Sequence, residues 1–181
     1  MSVTLRAIEE GDLENIMRWR MAEEITRYMN TDPQLTLEGK RKWLKSIQEN
    51  EDVRYWLIEV SGTPAGVINL TGLARPDGIL GWAYYVGEQK LRSIQTALAL
   101  EMSMYDYALI ELEKNAVISD VFTLNKGVIQ LHKICGCEVV EEKKKHILKN
   151  GVYYDVTFMR MTAKHWREIR GSRKYERIVF L

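Results

Sequence analysis

The 181-residue chain has almost no excess of charge: 26 Lys and Arg stand against 25 Asp and Glu, a net of +1. That balance leaves no electrostatic footprint for nucleic acid, so no nucleic-acid partner is expected. No apolar run approaches the roughly 18 residues of a membrane-spanning helix, and no membrane association is expected. Met1 to Arg6 lacks the apolar core of a signal peptide, which makes the cytoplasm the expected setting. Only two cysteines occur, Cys135 and Cys137 around Gly136. One residue apart, they make a poor metal site, and no second Cys/His pair has zinc-finger spacing. They read as small core residues, and no metal centre is expected. Repeats, low-complexity tracts and linkers are also missing. The expectation is a single domain over residues 1–181, long enough to bury a substantial core.

What is present is a regular alternation of strand and helix signals. Val3 to Ile8 alternates apolar and polar residues, as a half-buried strand does. Asp12 is placed to cap a helix that carries Leu13, Ile16, Met17 and Arg20 and ends at Trp19–Arg20. After a loop over Met29 to Pro33, a second helix starts near Thr36. Arg54–Val60 and Ala65–Leu70 read as a hairpin around Ser61-Gly62-Thr63-Pro64, and Ile79–Val86 as a third strand after Arg75-Pro76-Asp77-Gly78. Later come a strand over Ala116–Phe122 and a helix capped by Asn125. A strand then starts at Cys137, and Asn150-Gly151 signals a hairpin turn before Val152–Met161.

The stretch from Leu80 to Leu112 organises the rest. A strand passes through a polar loop, Gly87 to Gln95, into a helix starting near Thr96 with apolar residues on several sides. Free N–H groups and the dipole at such a helix start favour an anion. A strand reached through a helix is usually parallel to its predecessor, which pairs Ala116–Phe122 with Ile79–Val86.

These segments together resemble the GNAT superfamily of acetyl-CoA-dependent N-acyltransferases, over nearly the whole chain to about Trp166. Leu5-Arg6-Ala7-Ile8 with Asp12-Leu13 is similar to the opening of the ribosomal-protein-acetyltransferase-like branch. Leu124-Asn125, Gln130-Leu131-His132-Lys133 and Cys135-Gly136-Cys137 are similar to its later N-x-x-A-x-x-L-[YH]-x-K-x-G-F segment. Within that branch the chain resembles the sugar-nucleotide acetyltransferases of pseudaminic acid biosynthesis. The likeness lies in Trp19-Arg20, Arg27-Tyr28-Met29-x-Thr31-Asp32, Gly66-Val67-Ile68-Asn69 and, most extensively, His146 to Val156.

The resemblance implies an α+β fold with a mixed, mostly antiparallel central sheet flanked by helices, and acetyl-CoA as cofactor. Backbone groups of Trp82 to Val86, Tyr84 and Tyr85 among them, would then bind the pantetheine arm. Arg92, Ser93, Ile94, Gln95, Thr96 and Ala97 would hold the pyrophosphate, with Asn125 nearby. The family's [RQ]-x-x-G-x-[GA] motif reads Arg92-Ser93-Ile94-Gln95-Thr96-Ala97 here, so Gln95 stands where a glycine is usual. A side chain there narrows the allowed dihedrals and the room available. His132 takes the place of a tyrosine that protonates the leaving thiolate, and imidazolium is a competent acid. It is the expected catalytic residue.

No residue declares itself as general base; Glu59 and Asp77 border the central strands, and Tyr84 and Tyr85 lie on one. Asn30, Asn69, Thr71, Trp82, His146 and Tyr154 are the candidates for lining an acceptor site, because aromatics stack on sugar or base faces and Asn bonds hydroxyls. The implied acceptor is a nucleotide sugar, a UDP-linked 4-amino-4,6-dideoxy sugar. Protein N-terminal acetylation and a non-catalytic binding module are the alternatives. Arg170 to Lys174 is polar and lies beyond the resemblance, and Arg177–Leu181 is apolar enough to dock on this chain or on a second copy, so a homodimer is among the expected partners.

Overall fold

The computed structural model describes residues 2–180. Its strands are β1 (Val3–Arg6), β2 (Val53–Val60), β3 (Thr63–Thr71), β4 (Ile79–Val86), β5 (Ala116–Phe122), β6 (Glu138–Lys149) and β7 (Val152–Thr162). They form one sheet in the order β1-β2-β3-β4-β5-β7-β6. All neighbours run antiparallel except β4 and β5, which are parallel. The helices are α1 (Leu13–Met21), α2 (Glu23–Thr26), α3 (Leu37–Glu49), α4 (Ile94–Tyr105), α5 (Lys126–Cys135) and α6 (Ala163–Ile169). The expected α+β class and mixed, mostly antiparallel sheet are therefore what the chain adopts.

Period-two alternation divides the sheet into two faces. Trp56, Ile58, Ile68, Leu70, Leu80 and Trp82 pack with α4 in the larger core. Leu57 and Val67, with Tyr55 and Tyr85 partly buried, pack beneath α1 and α3 against Ile16, Trp19 and Leu44.

Local chemistry explains the main boundaries. Thr36 caps α3, its hydroxyl accepting from Gly39 N at 3.1 Å. Asn125 caps α5 through Val128 N at 3.4 Å. Ser61-Gly62 and Asn150-Gly151 both have positive φ at each position, the geometry of a two-residue hairpin turn. Asp12 does occupy the N-cap position of α1, but its carboxylate is spent elsewhere. It takes a bidentate pair from Arg6 at 2.7 and 2.8 Å and a bond from Glu9 N at 2.8 Å.

Several boundaries differ from the sequence expectation. Thr63 and Pro64 belong to β3, so the first hairpin turn is two residues long; Pro64 lies beside a register shift at Ile58/Glu59. The short α2 follows α1 directly. Helix α4 begins at Ile94, two residues early, because Ser93 supplies the cap. It widens into a π-type turn over Asp106–Glu111, which carries the buried Asp106 carboxylate to Trp166 Nε1 (3.0 Å), Arg170 Nε (2.6 Å) and the Tyr175 hydroxyl (2.6 Å). The tail docks on its own chain: Phe180 stacks on Tyr107 with centroids 4.7 Å apart, and Ile178 is buried. Leu181 lies outside the described residues.

Candidate active site

Strands β4 and β5 pair only over Ile79–Gly81 and Ala116–Ile118. Beyond those residues β4 runs on to Val86 with its other edge paired to β3, and β5 runs on to Phe122 paired to β7. The facing edges of β4 and β5 thus diverge, leaving the backbone of Trp82 to Val86 open on one side. A cleft of about 570 Å³ enters there. Trp82 to Val86 form one wall, and Ser119, Asp120 and Val121 the other. An extended ligand with amide groups can pair with a free strand edge as another strand would.

At the mouth of the cleft stands the start of α4. Ser93 Oγ accepts from Thr96 N at 3.0 Å and Ser93 O from Ala97 N at 3.1 Å. The N–H groups of Ile94 and Gln95 are then the unspent donors at the helix start, as helix geometry requires. Arg92 ties the loop to β4, donating from Nε to Val86 O at 2.7 Å and from Nη2 to Gly87 O at 3.3 Å. Arg92, Ser93, Ile94 and Ala97 line the cleft together with Asn125 of the α5 cap. Thr96 is buried behind them, and the Gln95 side chain is exposed outside the lining. Gln95 has no positive φ, so this backbone does not require glycine there.

His132, on α5, also lines the cleft and is 3 % exposed. Its ring lies 5.5 Å from that of Trp82. Its Nδ1 is 2.8 Å from Oε1 of Glu101, a fully buried carboxylate on α4 that also accepts from the Tyr105 hydroxyl. The same hydroxyl meets Cys137 Sγ at 2.9 Å. Burial, opposed by this hydroxyl, pushes the Cys137 thiol up to about 12, and burial with the Glu101 charge pushes that of Cys135 higher still. Both cysteines are free, uncharged core residues. Burial likewise raises the phenols of Tyr84 and Tyr85, which stay neutral.

Two buried polar atoms on the cleft walls have no partner among the described residues: Trp82 Nε1 and Ser119 Oγ. Orphaned buried groups are rare and costly. Donors left over beside a free strand edge fit an acyl-pantetheine arm with its carbonyl oxygens, and the open helix start fits a pyrophosphate.

The acceptor candidates divide. Trp82 lines the cleft, stacked on Tyr84 at 5.8 Å. Asn69 and Thr71 follow Val67 on the opposite face of β3. Asn30 is exposed just outside the lining, and His146 is exposed on the edge strand against Phe158. Tyr154 is stacked on Phe122 at 4.7 Å. Glu59 and Asp77 are held by Arg6 and Arg75 away from the cleft. The carboxylates that do line it are Glu24 and Asp120. Glu24 belongs to the short α2, whose four residues give no periodic signal. Asp120 and Ser119 were legible as a polar pair interrupting the apolar run of β5.

Ile25, Tyr28 and Met29 form a lip of the cleft that is braced from two directions. Arg20 donates to Thr31 O at 3.3 Å and Thr31 Oγ1 at 3.1 Å. Lys149, buried near the β6–β7 turn, donates to Thr26 O and pairs with Asp32 Oδ1 at 2.8 Å, while Asn150 Nδ2 donates to Oδ2.

A parallel strand pair that splays beside a capped helix start, with an imidazole at its floor, is the architecture of an acyl-CoA N-acyltransferase. The chain belongs to the GNAT acetyltransferase family: the Acetyltransferase (GNAT) domain matches residues 2–138. It is an N-acetyltransferase with acetyl-CoA as donor. It is 25% identical over 172 residues, 94% of this chain and 95% of the relative, to the SPbeta prophage-derived uncharacterized N-acetyltransferase YokL of Bacillus subtilis. Spermidine N-acetyltransferase from Vibrio cholerae, solved with CoA and spermine, superposes with a TM-score of 0.84 at 19% identity, covering 91% of this chain and 98% of that one. A solved probable acetyltransferase gives 0.81 at 15% identity, over 91% and 94%. No helix among the described residues is long and apolar enough to cross a membrane.

Proposed function

We propose that the acceptor is a nucleotide sugar, a UDP-linked 4-amino-4,6-dideoxy sugar whose amino group receives the acetyl. The observation that carries this reading is a convergence in space. The segments similar to the pseudaminic-pathway enzymes, Trp19-Arg20, Arg27 to Asp32 and His146 to Val156, touch one another through Arg20–Thr31 and Asp32–Lys149. They touch beside the lip of Ile25, Tyr28 and Met29, which this reading takes as the acceptor's side of the cleft.

Acetyl-CoA supplies the acetyl group as a thioester. The open edge of β4 orients it, the N–H groups of Ile94 and Gln95 meet its pyrophosphate, and Trp82 with Tyr84 forms an aromatic floor for the acceptor. The amine attacks as the neutral base, forming the new C–N bond as the C–S bond breaks. His132 hands its Nε2 proton to the departing sulfur, and the proton that the newly acylated nitrogen sheds returns to Nε2, so the thiol and the amide leave neutral and the ring is restored. Glu101, bonded to Nδ1, fixes the ring so that Nε2 faces the reaction.

A polyamine acceptor is the second reading. Its support is the pair of carboxylates, Glu24 and Asp120, in the cleft lining, which would attract a cationic amine. Thiol release from acetyl-CoA, measured with the UDP-amino sugar, spermidine and an N-terminal peptide in parallel, separates the readings. Turnover of the UDP-amino sugar at least tenfold above the other two is the expected result. Preference for spermidine or peptide overturns the nucleotide-sugar reading.

A further inference from the structure

On each strand, the first residue beyond the paired segment of β4 and β5 keeps a hydrogen-bonding group with nothing to bond: Trp82 on β4 and Ser119 on β5. Leu80 and Val117 stand opposite one another in the parallel register, and both belong to the core beneath α4. Two residues further on, alternation brings Trp82 and Ser119 to that same face, one on each arm of the fork. Both line the cleft, and both are buried, at 5 % and 6 % exposure. Yet Trp82 Nε1 and Ser119 Oγ have no hydrogen-bond partner among the described residues. The polar groups around them are already engaged. Tyr105, whose ring meets that of Trp82 edge-on at 5.7 Å, gives its hydroxyl to Glu101, and Glu101 also takes Nδ1 of His132.

Chemistry narrows what these two groups await. An indole N–H only donates, so its partner is an acceptor; a serine hydroxyl can donate to the same atom, and a carbonyl oxygen has lone pairs for both. The arm of acetyl-CoA carries carbonyl oxygens at its amides and at its thioester. Position decides between them. The ring of His132, the acid for the departing sulfur in the reaction above, lies 5.5 Å from that of Trp82. The thioester oxygen sits on the carbon bonded to that sulfur. The amides are set back from it by an ethylene unit and have the open edge of Ala83 to Val86 to pair with.

We propose that Trp82 and Ser119 are catalytic residues, whose Nε1–H and Oγ–H donate together to the thioester carbonyl oxygen and stabilise the charge that gathers on it during transfer. As the amine nitrogen bonds to the carbonyl carbon, the electron pair of the C=O bond moves onto that oxygen. It returns as the C–S pair leaves with sulfur, which takes the Nε2 proton of His132, while the acylated nitrogen gives a proton back to the ring. Donors already fixed in a site that excludes water need no reorganisation at that moment, and there they contribute most. Their lack of partners within the chain then marks a place built for an oxygen that arrives with the substrate. The placement rests on His132 as the acid and is independent of which amine is the acceptor.

The test uses the full chain and two conservative changes. Trp82→Phe keeps an aromatic ring and loses the N–H. Ser119→Ala loses the hydroxyl alone and keeps the proposal testable if Trp82→Phe does not fold. In isotope-edited infrared spectra, the thioester C=O stretch of bound acetyl-CoA lies below its free value in wild type and moves back towards it in each variant. Calorimetric titration gives both variants a CoA dissociation constant within about twofold of wild type. Steady-state thiol release, with whichever amine turns over, falls in kcat by about a hundredfold for Trp82→Phe and about tenfold or more for Ser119→Ala. A wild-type stretch at the free value overturns the assignment, and so does a stretch or a kcat that is the same in wild type and both variants. Equal weakening of CoA and acetyl-CoA with an unmoved stretch also overturns it, because the two groups then serve the amides of the arm. The infrared and binding readouts involve no acceptor, so failure of the nucleotide-sugar reading leaves them standing. A stretch that responds to Trp82→Phe, beside full turnover in His132→Phe, keeps the two donors and removes the acid.

Discussion

Nδ1 of His132 and Oε1 of Glu101 lie 2.8 Å apart, with neither side chain open to solvent. A carboxylate oxygen accepts, so the hydrogen between them sits on Nδ1 and Nε2 is the atom left to face the cleft. His132→Phe keeps the volume of the ring and removes the proton donor. It is expected to lower kcat by about a hundredfold, the scale of general acid catalysis, with acetyl-CoA affinity changed less than about twofold. Glu101→Gln leaves a hydrogen-bonding group in place but loses the charge that holds the ring, and a smaller loss of about tenfold in kcat is expected. Steady-state thiol release beside equilibrium titration of acetyl-CoA reads both quantities. Unchanged turnover in His132→Phe removes His132 from the proton transfer.

The ion pair between Asp32 and Lys149 joins residues more than a hundred positions apart and braces the Ile25–Met29 lip of the cleft. Breaking it frees the Ile25–Met29 segment without touching β4 or α4. Lys149→Met is therefore expected to raise KM for the acceptor by about tenfold while leaving KM for acetyl-CoA within about twofold, the pattern of lost uniform binding to one substrate. Varying each substrate in turn at saturation of the other checks it. Equal rises in the two KM values would place the effect on the whole fold.

Much of the framework could be read directly because each boundary had its own local chemistry. Thr36, Asn125 and Asn150-Gly151 mark their caps and turn by side-chain type alone. The splay of β4 from β5, on which the whole cleft depends, has no such marker. It is an absence of pairing beyond Gly81 and Ile118, which the family resemblance implies but no residue type marks. Asn69 and Thr71 lie outside the cleft lining, and their place was hidden for a related reason. Alternation puts them on one face of β3 together, but does not say which layer of helices covers that face. Glu101 was hidden in plain view: a single carboxylate in the apolar α4 acquires meaning only when α5 brings His132 against it.

Lys40 offers a prediction about stability. Its ordinary value of 10.5 belongs to the unfolded chain, and burial, then Arg20, lowers it to about 8 in the fold. Between those values the unfolded state binds more protons, so stability rises with pH across about 8 to 10.5. Below pH 8 the charge carries its full cost, on the order of 2 kcal/mol once solvent screening of the partly accessible ammonium is allowed for. Lys40→Met is expected to unfold at higher denaturant than wild type at pH 7, and to lose the gain in stability that wild type shows between pH 8 and 10. Urea titrations at pH 7 and pH 9.5 measure both. A destabilised Lys40→Met at pH 7 would mean that the ammonium is compensated in the fold.

Gln95 departs from the glycine usual in the family, but its side chain is exposed and its backbone does not need positive φ. The donor that matters is its N–H, which any residue but proline supplies. Restoring glycine should therefore bring no affinity. Gln95→Gly is expected to leave the acetyl-CoA dissociation constant within about twofold, and to cost up to about 1 kcal/mol of stability at the helix start. Titration calorimetry on the two proteins decides it, and a tenfold gain in affinity would show that the side chain obstructs the pyrophosphate.

Gly66 lies where β3 pairs with the last residue of β4, Val86. A Cβ built there would sit 2.0 Å from the carbonyl oxygen of Tyr85 and 2.9 Å from Val86 Cα. Both are backbone atoms, so no rotamer change relieves the clash and β4 itself must move. The cleft wall and the carbonyl that receives Arg92 are the same short segment. Gly66→Ala is expected to destabilise the chain by about 2–3 kcal/mol, as overpacking against a fixed neighbour does. Because the displaced strand is the one that orients the donor, acetyl-CoA affinity should fall with it, by about tenfold even under conditions where the variant remains folded. Urea unfolding and calorimetric titration at low temperature measure the two effects separately. Loss of stability with full affinity would show that β3 yields instead of β4, leaving the cleft wall in place.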